Sequence, residues 1–244
     1  MRALTATELL RAWEQGFSQS PAHRALTLLT FTGADAPPER LAQLAIGQRD
    51  AQLLALRDRA FGPRMSGLAT CPTCGLQVQL DFTVADISVA PPPEPSDVAT
   101  LSLGECDVSF RLPNSQDLAA LDAQAEVSSG KRALLGRCLL SARLKGQEIS
   151  VDQLPEEMTA AISERMAEMD PQADVQLALT CPQCCHGWHA PLDIASFLWS
   201  EIHAWAVRLL RDVHTLASAY GWREAEILAL SPWRRQAYLE LVGG

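Results

Sequence analysis

Two short cysteine motifs constrain this chain more than any other feature of its sequence. Cys71-Pro-Thr-Cys74 and Cys181-Pro-Gln-Cys184 each place two thiols on one tight turn. A two-residue spacer lets both sulfurs of such a turn bind the same metal ion, and two turns together supply four thiolates in a tetrahedron. Four thiolates with no open position are typical of structural zinc sites. The sequence therefore predicts one structural Zn²⁺ bound by Cys71, Cys74, Cys181 and Cys184.

The residues around the two motifs are also alike. Leu68-Ala-Thr70 precedes the first motif, and Leu177-Ala-Leu-Thr180 precedes the second. Apolar residues alternate over Leu76–Val84, a period of two that favours a β-strand with one buried face. We therefore expect two related β-hairpins, residues 65–87 and 175–192, which form the two halves of a zinc ribbon.

The distance between the motifs is unusual for a zinc ribbon. About a hundred residues separate them, whereas paired cysteine motifs of one zinc site are usually much closer. We interpret residues 88–174 as an inserted α+β segment, with a stiff Pro-rich connector at residues 90–95. The entropy of loop closure rises only slowly with loop length, so a long insertion is compatible with one shared metal site.

The cysteines also allow other interpretations. The motifs could be redox pairs, or reduced cysteines in the core. A thioredoxin-type motif lies where a strand enters a helix of a βαβ unit, and neither copy has that context. Cys185, His186 and His189 lie close to the second motif and could replace a ligand or bind a second metal, although such neighbours are more often bystanders. Cys106 and Cys138 are isolated, and Cys138 is predicted to be a core residue.

Helical periodicity dominates both ends of the chain. In the N-terminal helical region, residues 1–64, Thr5 and Glu8 form a predicted capping box, and Gly47 is expected to end a short helix. In the C-terminal region, residues 193–244, apolar residues recur every three or four positions. This region predicts one long helix followed by two short ones: Asp193–Tyr220, Trp222–Leu230 and Pro232–Leu241.

The insertion shows both strand and helix patterns. Val98–Leu112 predicts a pair of strands, and Asn114 predicts the N-cap of a helix over residues 115–126. A second helix is expected over residues 131–145, after the break at Ser128-Ser129-Gly130. The predicted fold class is mainly α with a small β zinc ribbon, α+β overall, in which the long insertion separates the ribbon halves.

Charge and motif content narrow the classes of function. The formal net charge is −9 and the nearest thing to a basic patch is Arg234-Arg235, whereas phosphate contacts usually need a basic surface. The sequence shows no signal-peptide pattern and no apolar run of membrane-spanning length, so we expect a soluble protein made in the bacterial cytoplasm. No phosphate-binding loop, nucleophile elbow or H-E-x-x-H motif is present. We therefore expect no enzyme activity, no small-molecule substrate and no nucleic-acid partner.

Several stretches together resemble the T4-type phage baseplate protein family, whose members also occur in bacterial contractile injection gene clusters. The resemblance implies a small structural component of a baseplate, or an assembly factor for one, in a phage-like particle. Its partners would be other baseplate, hub or tail proteins, and it implies no catalytic residues. The stretches that carry the resemblance are Gly47–Ala51, Leu53–Arg57, Phe61-Gly62, Phe110–Pro113, Asp117-Leu118, Phe197–Ile202, Tyr220–Trp222, Glu224–Leu228, Ser231, Arg234-Arg235 and Tyr238-Leu239.

Two alternatives stand beside a permanent baseplate subunit. The chain could be a transient tail-assembly chaperone that is absent from the mature particle. It could also be a zinc-ribbon DNA-binding regulator, in which the short helices of Trp222–Leu241 imitate a helix-turn-helix, although the acidic charge opposes this. A zinc enzyme is disfavoured because a four-thiolate site has no open coordination position.

Overall fold

The structure is a computed structural model that describes residues 4–33, 37–90, 98–121 and 127–243. Within these ranges helices are combined with small antiparallel sheets, so the chain has the α+β class predicted from its sequence. The α-helices are α1 Ala6–Gly16, α2 Pro21–Phe31, α3 Pro38–Ala42, α4 Ile46–Phe61, α5 Val84–Ile87, α6 Ser115–Ala119, α7 Val127–Cys138, α8 Glu156–Met169, α9 Ile194–Tyr220, α10 Glu224–Leu228 and α11 Pro232–Gly243. The β-strands are β1 Arg64–Thr70, β2 Gln77–Thr83, β3 Val98–Leu103, β4 Cys106–Arg111, β5 Leu139–Leu144, β6 Gln147–Glu148, β7 Gln176–Thr180 and β8 Gly187–Pro191.

The N-terminal helices and the first half of α9 share the largest hydrophobic core, in which Leu28, Leu53 and Ile202 are fully buried. α1 begins with the predicted capping box. The backbone N–H of Glu8 donates to Thr5 Oγ1 at 3.3 Å, and the backbone N–H of Thr5 donates to Glu8 Oε2 at 2.9 Å. The predicted capping box at the start of this helix is therefore confirmed.

The prediction that Gly47 ends a helix is wrong. α4 begins at Ile46, so Gly47 lies in its first turn. A Cβ atom at this position would lie 1.9 Å from Asp170 Oδ1, and the backbone N–H of Gly47 donates to Asp170 Oδ2 at 2.8 Å. Glycine stands here because a carboxylate from a distant segment approaches the backbone closely, a reason that local sequence patterns do not reveal.

The cysteine motifs lie on two separate antiparallel hairpins, β1–β2 and β7–β8. The strand predicted over Leu76–Val84 is present as β2. Met65 in β1 is buried in the largest core, and Phe82 in β2 and Leu177 in β7 pack against it. Both hairpins are thus rooted in the same core, and their turns extend away from it.

The insertion has its own sheet and its own core. Its strands lie in the order β3-β4-β5-β6, all antiparallel, and the strand pair predicted over Val98–Leu112 is confirmed as β3 and β4. The side chains of Phe110, Met158 and Ile162 are fully buried together. α8 therefore covers one face of this sheet.

The helices predicted for the insertion need correction. Instead of a helix over residues 131–145, α7 ends at Cys138 and β5 follows at once. β5 forms because it pairs with β4, with Ala142 opposite Val108, and this tertiary pairing overrides a locally helical pattern. α7 also runs through the expected break at residues 128–130, since an interior Ser or Gly costs a helix only about 1 kcal/mol.

Two other predictions for the insertion fall partly outside the residues that the structure describes. Asn114 caps α6 as predicted, because its Oδ1 accepts from the backbone N–H groups of Gln116 and Asp117 at 3.0 and 3.1 Å. α6 itself ends at Ala119, and residues 122–126 of the helix predicted over 115–126 lie outside the described residues. Nearly all of the Pro-rich stretch at 90–95 also lies outside them.

The C-terminal helices agree with the prediction. Asp193 caps α9 by accepting from the backbone N–H of Ser196 at 3.1 Å, and Gly221 ends it with a left-handed φ of 69°. α10 and α11 pack on the second half of α9, around a small core that contains Leu216 and Ile227. Among the described residues, the structure has no helix with the length and apolar character that a membrane span requires.

Candidate metal centre

Each cysteine motif forms the turn of its hairpin, and the two turns share one hydrogen-bond pattern. In the first, the backbone N–H of Cys71 donates to Leu76 O and that of Gly75 donates to Cys71 O, both at 2.9 Å. In the second, the backbone N–H groups of Cys181 and Cys185 make the equivalent bonds at 2.9 and 3.0 Å. Turns from distant parts of the chain therefore have the same backbone geometry, as their matching sequences suggested.

The hairpins bring the four predicted ligands together. Cys71 Sγ lies 3.7 Å from Cys184 Sγ, and Cys74 Sγ lies 3.5 Å from Cys181 Sγ. The four sulfurs all lie within 4.8 Å of one another. These separations exceed the roughly 2.05 Å of a disulfide bond. Four sulfurs arranged tetrahedrally at about 2.3 Å from a zinc ion would lie about 3.8 Å apart, so the arrangement fits a four-thiolate site.

The four thiols differ in their burial and in the backbone N–H groups that stabilise their thiolate forms. Cys71 and Cys181 are buried, whereas Cys74 and Cys184 are exposed. The backbone N–H of Cys184 lowers the pKa of the Cys181 thiol to about 6, with further help from Gln183. The backbone N–H of His186 also favours the Cys184 thiolate, but desolvation and the neighbouring thiols outweigh it and raise the pKa of Cys184 to about 12. Adjacent thiolates oppose each other's ionisation, and a cation between them would offset that opposition.

The other candidate ligands near the second motif, Cys185, His186 and His189, lie outside the group of four sulfurs. Cys185 has a φ of 59°, the left-handed conformation that Gly75 adopts in the first turn with a φ of 74°. The Cys185 side chain is exposed, and neither it nor His186 or His189 belongs to the cluster of four sulfurs. Cys185 therefore occupies a position that favours glycine. An alignment of the two motifs places Gly75 opposite Cys185, and this alignment could have shown from the sequence that Cys185 takes a glycine position.

A buried glutamine explains how two distant hairpins meet. Gln172 Nε2 donates to Ile87 O at 3.1 Å, and Gln172 Oε1 accepts from the backbone N–H of Val89 at 2.7 Å. Gln172 thus joins the segment after β2 to the segment before β7. The chain leaves the first hairpin and returns to the second at one place, which brings their turns within reach of each other.

The comparisons with known proteins identify the family. The family model described as T4 bacteriophage base plate protein matches residues 24–199, well over half of the chain. The chain belongs to this family. No curated protein and no solved structure gives a significant match. The matched segment contains both cysteine motifs and the whole insertion and ends within α9, so α10 and α11 of this baseplate-family protein lie beyond it.

The buried arginines of this baseplate-family protein have carboxylate partners. Arg49 Nε donates to Asp50 Oδ1 at 2.7 Å, and both residues are buried. Arg57 makes a two-bond contact with Glu201, at 2.9 and 2.8 Å, across 144 positions of sequence, and no local signal could have shown it. In the described part of the chain, no second group of three or more His, Cys, Asp or Glu side chains has metal-binding geometry.

Proposed function

We propose that this protein is a non-catalytic structural or assembly component of the baseplate of a phage-like contractile tail or injection system, and that its four clustered cysteines bind one structural zinc ion. One observation carries the proposal. In a chain of the baseplate family, two hairpins from distant segments place four thiols at separations that suit a tetrahedral metal. The two hairpins would then be the halves of a zinc ribbon.

The ligand set favours a structural role for the metal. Four thiolates fill the coordination of zinc and leave no position for water or substrate. Bound zinc would supply a cross-link between the turns, while the hairpin strands are already held by the core through Met65 and Leu177. A stiff cross-link at the outer ends suits a subunit that fits between larger baseplate, hub or tail proteins. Such a protein would be made in the bacterial cytoplasm and meet its partners there or in the assembled particle.

Metal content tests the site. The purified protein is expected to contain about one zinc per chain, measured by mass spectrometry of the metal together with protein quantification. Cys74→Ser and Cys184→Ser should each lower that content strongly, because each removes one of the clustered sulfurs. Cys185→Ser is the matched control, since its exposed thiol is adjacent in sequence but outside the cluster. A folded wild-type protein that carries no zinc and takes up none would refute the proposed site.

Particle composition tests the role. Purified contractile particles should contain the protein at a fixed ratio to the other baseplate components if it is a permanent subunit. If it is a transient assembly chaperone, particles should lack it, and cells without its gene should still fail to form baseplates. Normal particle assembly without the gene, together with absence from the particles, would contradict both versions of the proposal.

A further inference from the structure

The C-terminal helix α11 carries a large aromatic side chain that the chain itself does not cover. Arg235, Tyr238 and Leu239 of α11 face the small core formed with α9. Trp233 points away from that core and is 83% exposed, and Leu241, two turns further on, is 73% exposed. Tryptophan is strongly enriched among the residues that dominate protein–protein binding energy. An indole this exposed on a structured helix is therefore a candidate contact residue.

A groove in the insertion has the size and lining to receive such a side chain. It lies between α7, the turn at Val151–Gln153 and α8, and its volume is about 680 Å³. This volume lies within the about 300–1,000 Å³ that is typical of ligand-binding clefts, so the groove is large enough to hold one indole. Its apolar lining includes Leu135, Leu154 and Met166.

Two hydroxyl groups inside the groove add a polar partner for an indole. The Thr159 hydroxyl donates to Pro155 O at 3.2 Å, and the Ser163 hydroxyl donates to Thr159 O at 3.0 Å. With their protons used in this way, both oxygens keep lone pairs that can accept the indole N–H. A buried tryptophan normally needs such an acceptor.

The charges at the rim fit the residue next to the tryptophan. Lys131, Arg132, Asp152 and Glu156 surround the groove. Arg132 pairs with Asp152 at 3.6 Å, and no described charge lies within ion-pair distance of Glu156. Arg234, which follows Trp233, is exposed and also has no ion pair among the described residues. One complementary pair, Arg234 with Glu156, is thus available between the helix and the groove, although Lys131 opposes it.

We propose that two copies of this chain associate head to tail, with Trp233 of one copy inserted into the α7–α8 groove of the next. The apolar lining takes the indole rings, a groove hydroxyl accepts the indole N–H, and Arg234 approaches Glu156 at the rim. In this head-to-tail arrangement each copy inserts its Trp233 into one neighbour and receives the Trp233 of another, so the contact is heterologous and extends into a ring or a chain of copies. This inference goes beyond the baseplate role and does not depend on the metal.

Sedimentation velocity of the full-length protein over a wide concentration range tests the proposal. The wild type should self-associate, and Trp233→Ala should raise the dissociation constant by about 30-fold or more, the effect typical of a dominant interface residue. Phe17→Ala is the matched control, because Phe17 is also a highly exposed aromatic residue, at 59%, but directly follows α1 and belongs to neither proposed surface. Zinc content measured on every variant keeps this result separate from the metal site.

A mixing experiment tests the pairing of the two surfaces directly. Ser163→Trp should fill the groove with a side chain of its own and abolish self-association, as Trp233→Ala does by removing the inserted group. Mixed together, the two variants should form one-to-one heterodimers and nothing larger, since only one groove and one Trp233 remain per pair. The proposal is overturned if the wild type stays monomeric at its solubility limit, if Trp233→Ala associates as the wild type does, or if the mixture does not pair. A monomeric chain whose Trp233→Ala variant no longer enters particles would assign Trp233 to a different subunit instead.

Discussion

Gly47→Ala tests how the insertion is fastened to the helical core. A Cβ at this position would meet Asp170 Oδ1 at 1.9 Å, Asp170 Cγ at 2.8 Å and the backbone nitrogen of Ala173 at 2.9 Å. Real atoms do not approach this closely, so the Asp170 side chain and the Ala173 backbone must both move. The movement would lengthen or break the 2.8 Å hydrogen bond from the backbone N–H of Gly47 to Asp170.

The cost follows from the two interactions that change. A hydrogen bond to a charged group contributes about 1.5–3 kcal/mol. Forcing an extra methyl group into a packed site costs about 1–3 kcal/mol. Alanine's higher helix propensity offsets up to about 1 kcal/mol of this at a position in α4. We therefore expect the free energy of unfolding of Gly47→Ala to be lower than that of the wild type by about 2–4 kcal/mol.

Urea denaturation followed by circular dichroism, in buffer with zinc, measures this difference. Gly130→Ala is the control, because Gly130 also lies in a helix but its added Cβ would meet no atom within 4 Å. That control should be unchanged or more stable by up to about 1 kcal/mol. Asp170 and Ala173 directly precede the second hairpin, so Gly47→Ala should also weaken binding of the proposed zinc ion in a competition assay, whereas Gly130→Ala should not.

Equal urea midpoints for Gly47→Ala and the wild type would refute this reasoning. The close approach between α4 and the end of the insertion would then contribute nothing to stability. A loss of stability without any change in zinc affinity would show that the contact supports the helical core but does not position the second turn.

Substitutions also test three individual features of the structure. Cys185→Gly should raise the free energy of unfolding by about 1 kcal/mol without lowering zinc content, because glycine adopts the left-handed φ of 59° without strain; thermal denaturation and metal analysis check this. Burial raises the pKa of Asp50 from 3.8 to about 6, so the folded state binds this proton more tightly than the unfolded state. Its contribution to stability should therefore fall as pH rises from about 4 to about 6, by up to about 3 kcal/mol, and Asp50→Asn should remove that slope from urea titrations. Glu201→Ala leaves the buried Arg57 without its carboxylate partner and should cost about 3 kcal/mol, whereas Glu168→Ala in the exposed pair with Arg165 should cost less than about 1 kcal/mol in the same assay.

The sequence predicted well those features whose causes are local. The cysteine turns were recognisable because a two-residue spacer and the flanking strands lie within a few positions of one another. The start of α1 at Thr5 and both ends of α9, at Asp193 and Gly221, depend on caps that act within one helical turn. In each case the residues that form the structure are neighbours in the chain.

The features that escaped prediction depend on distant partners. Residues 139–144 have a pattern that suits a helix, and only pairing with β4 makes them a strand. Gly47 follows an apolar helical pattern and therefore resembles a helix end. Its actual role is to accommodate Asp170, 123 positions away. Gln172 is not part of any recognisable motif, although its hydrogen bonds hold the two ends of the insertion together. No local pattern could show these contacts, because their energy comes from residues that meet only in the folded chain.

The position of Gln172 also changes what a metal cross-link can do in this fold. Counted along the chain, a bond between Cys74 and Cys181 would close a loop of more than a hundred residues, and in an unfolded chain the loss of entropy would be large. In the folded chain that loop is already closed by Gln172 and by the contact of Asp170 with Gly47. The remaining freedom lies in the outer ends of two hairpins whose inner ends share one core. The proposed zinc ion would therefore act on the folded protein mainly by fixing the relative position of the two turns.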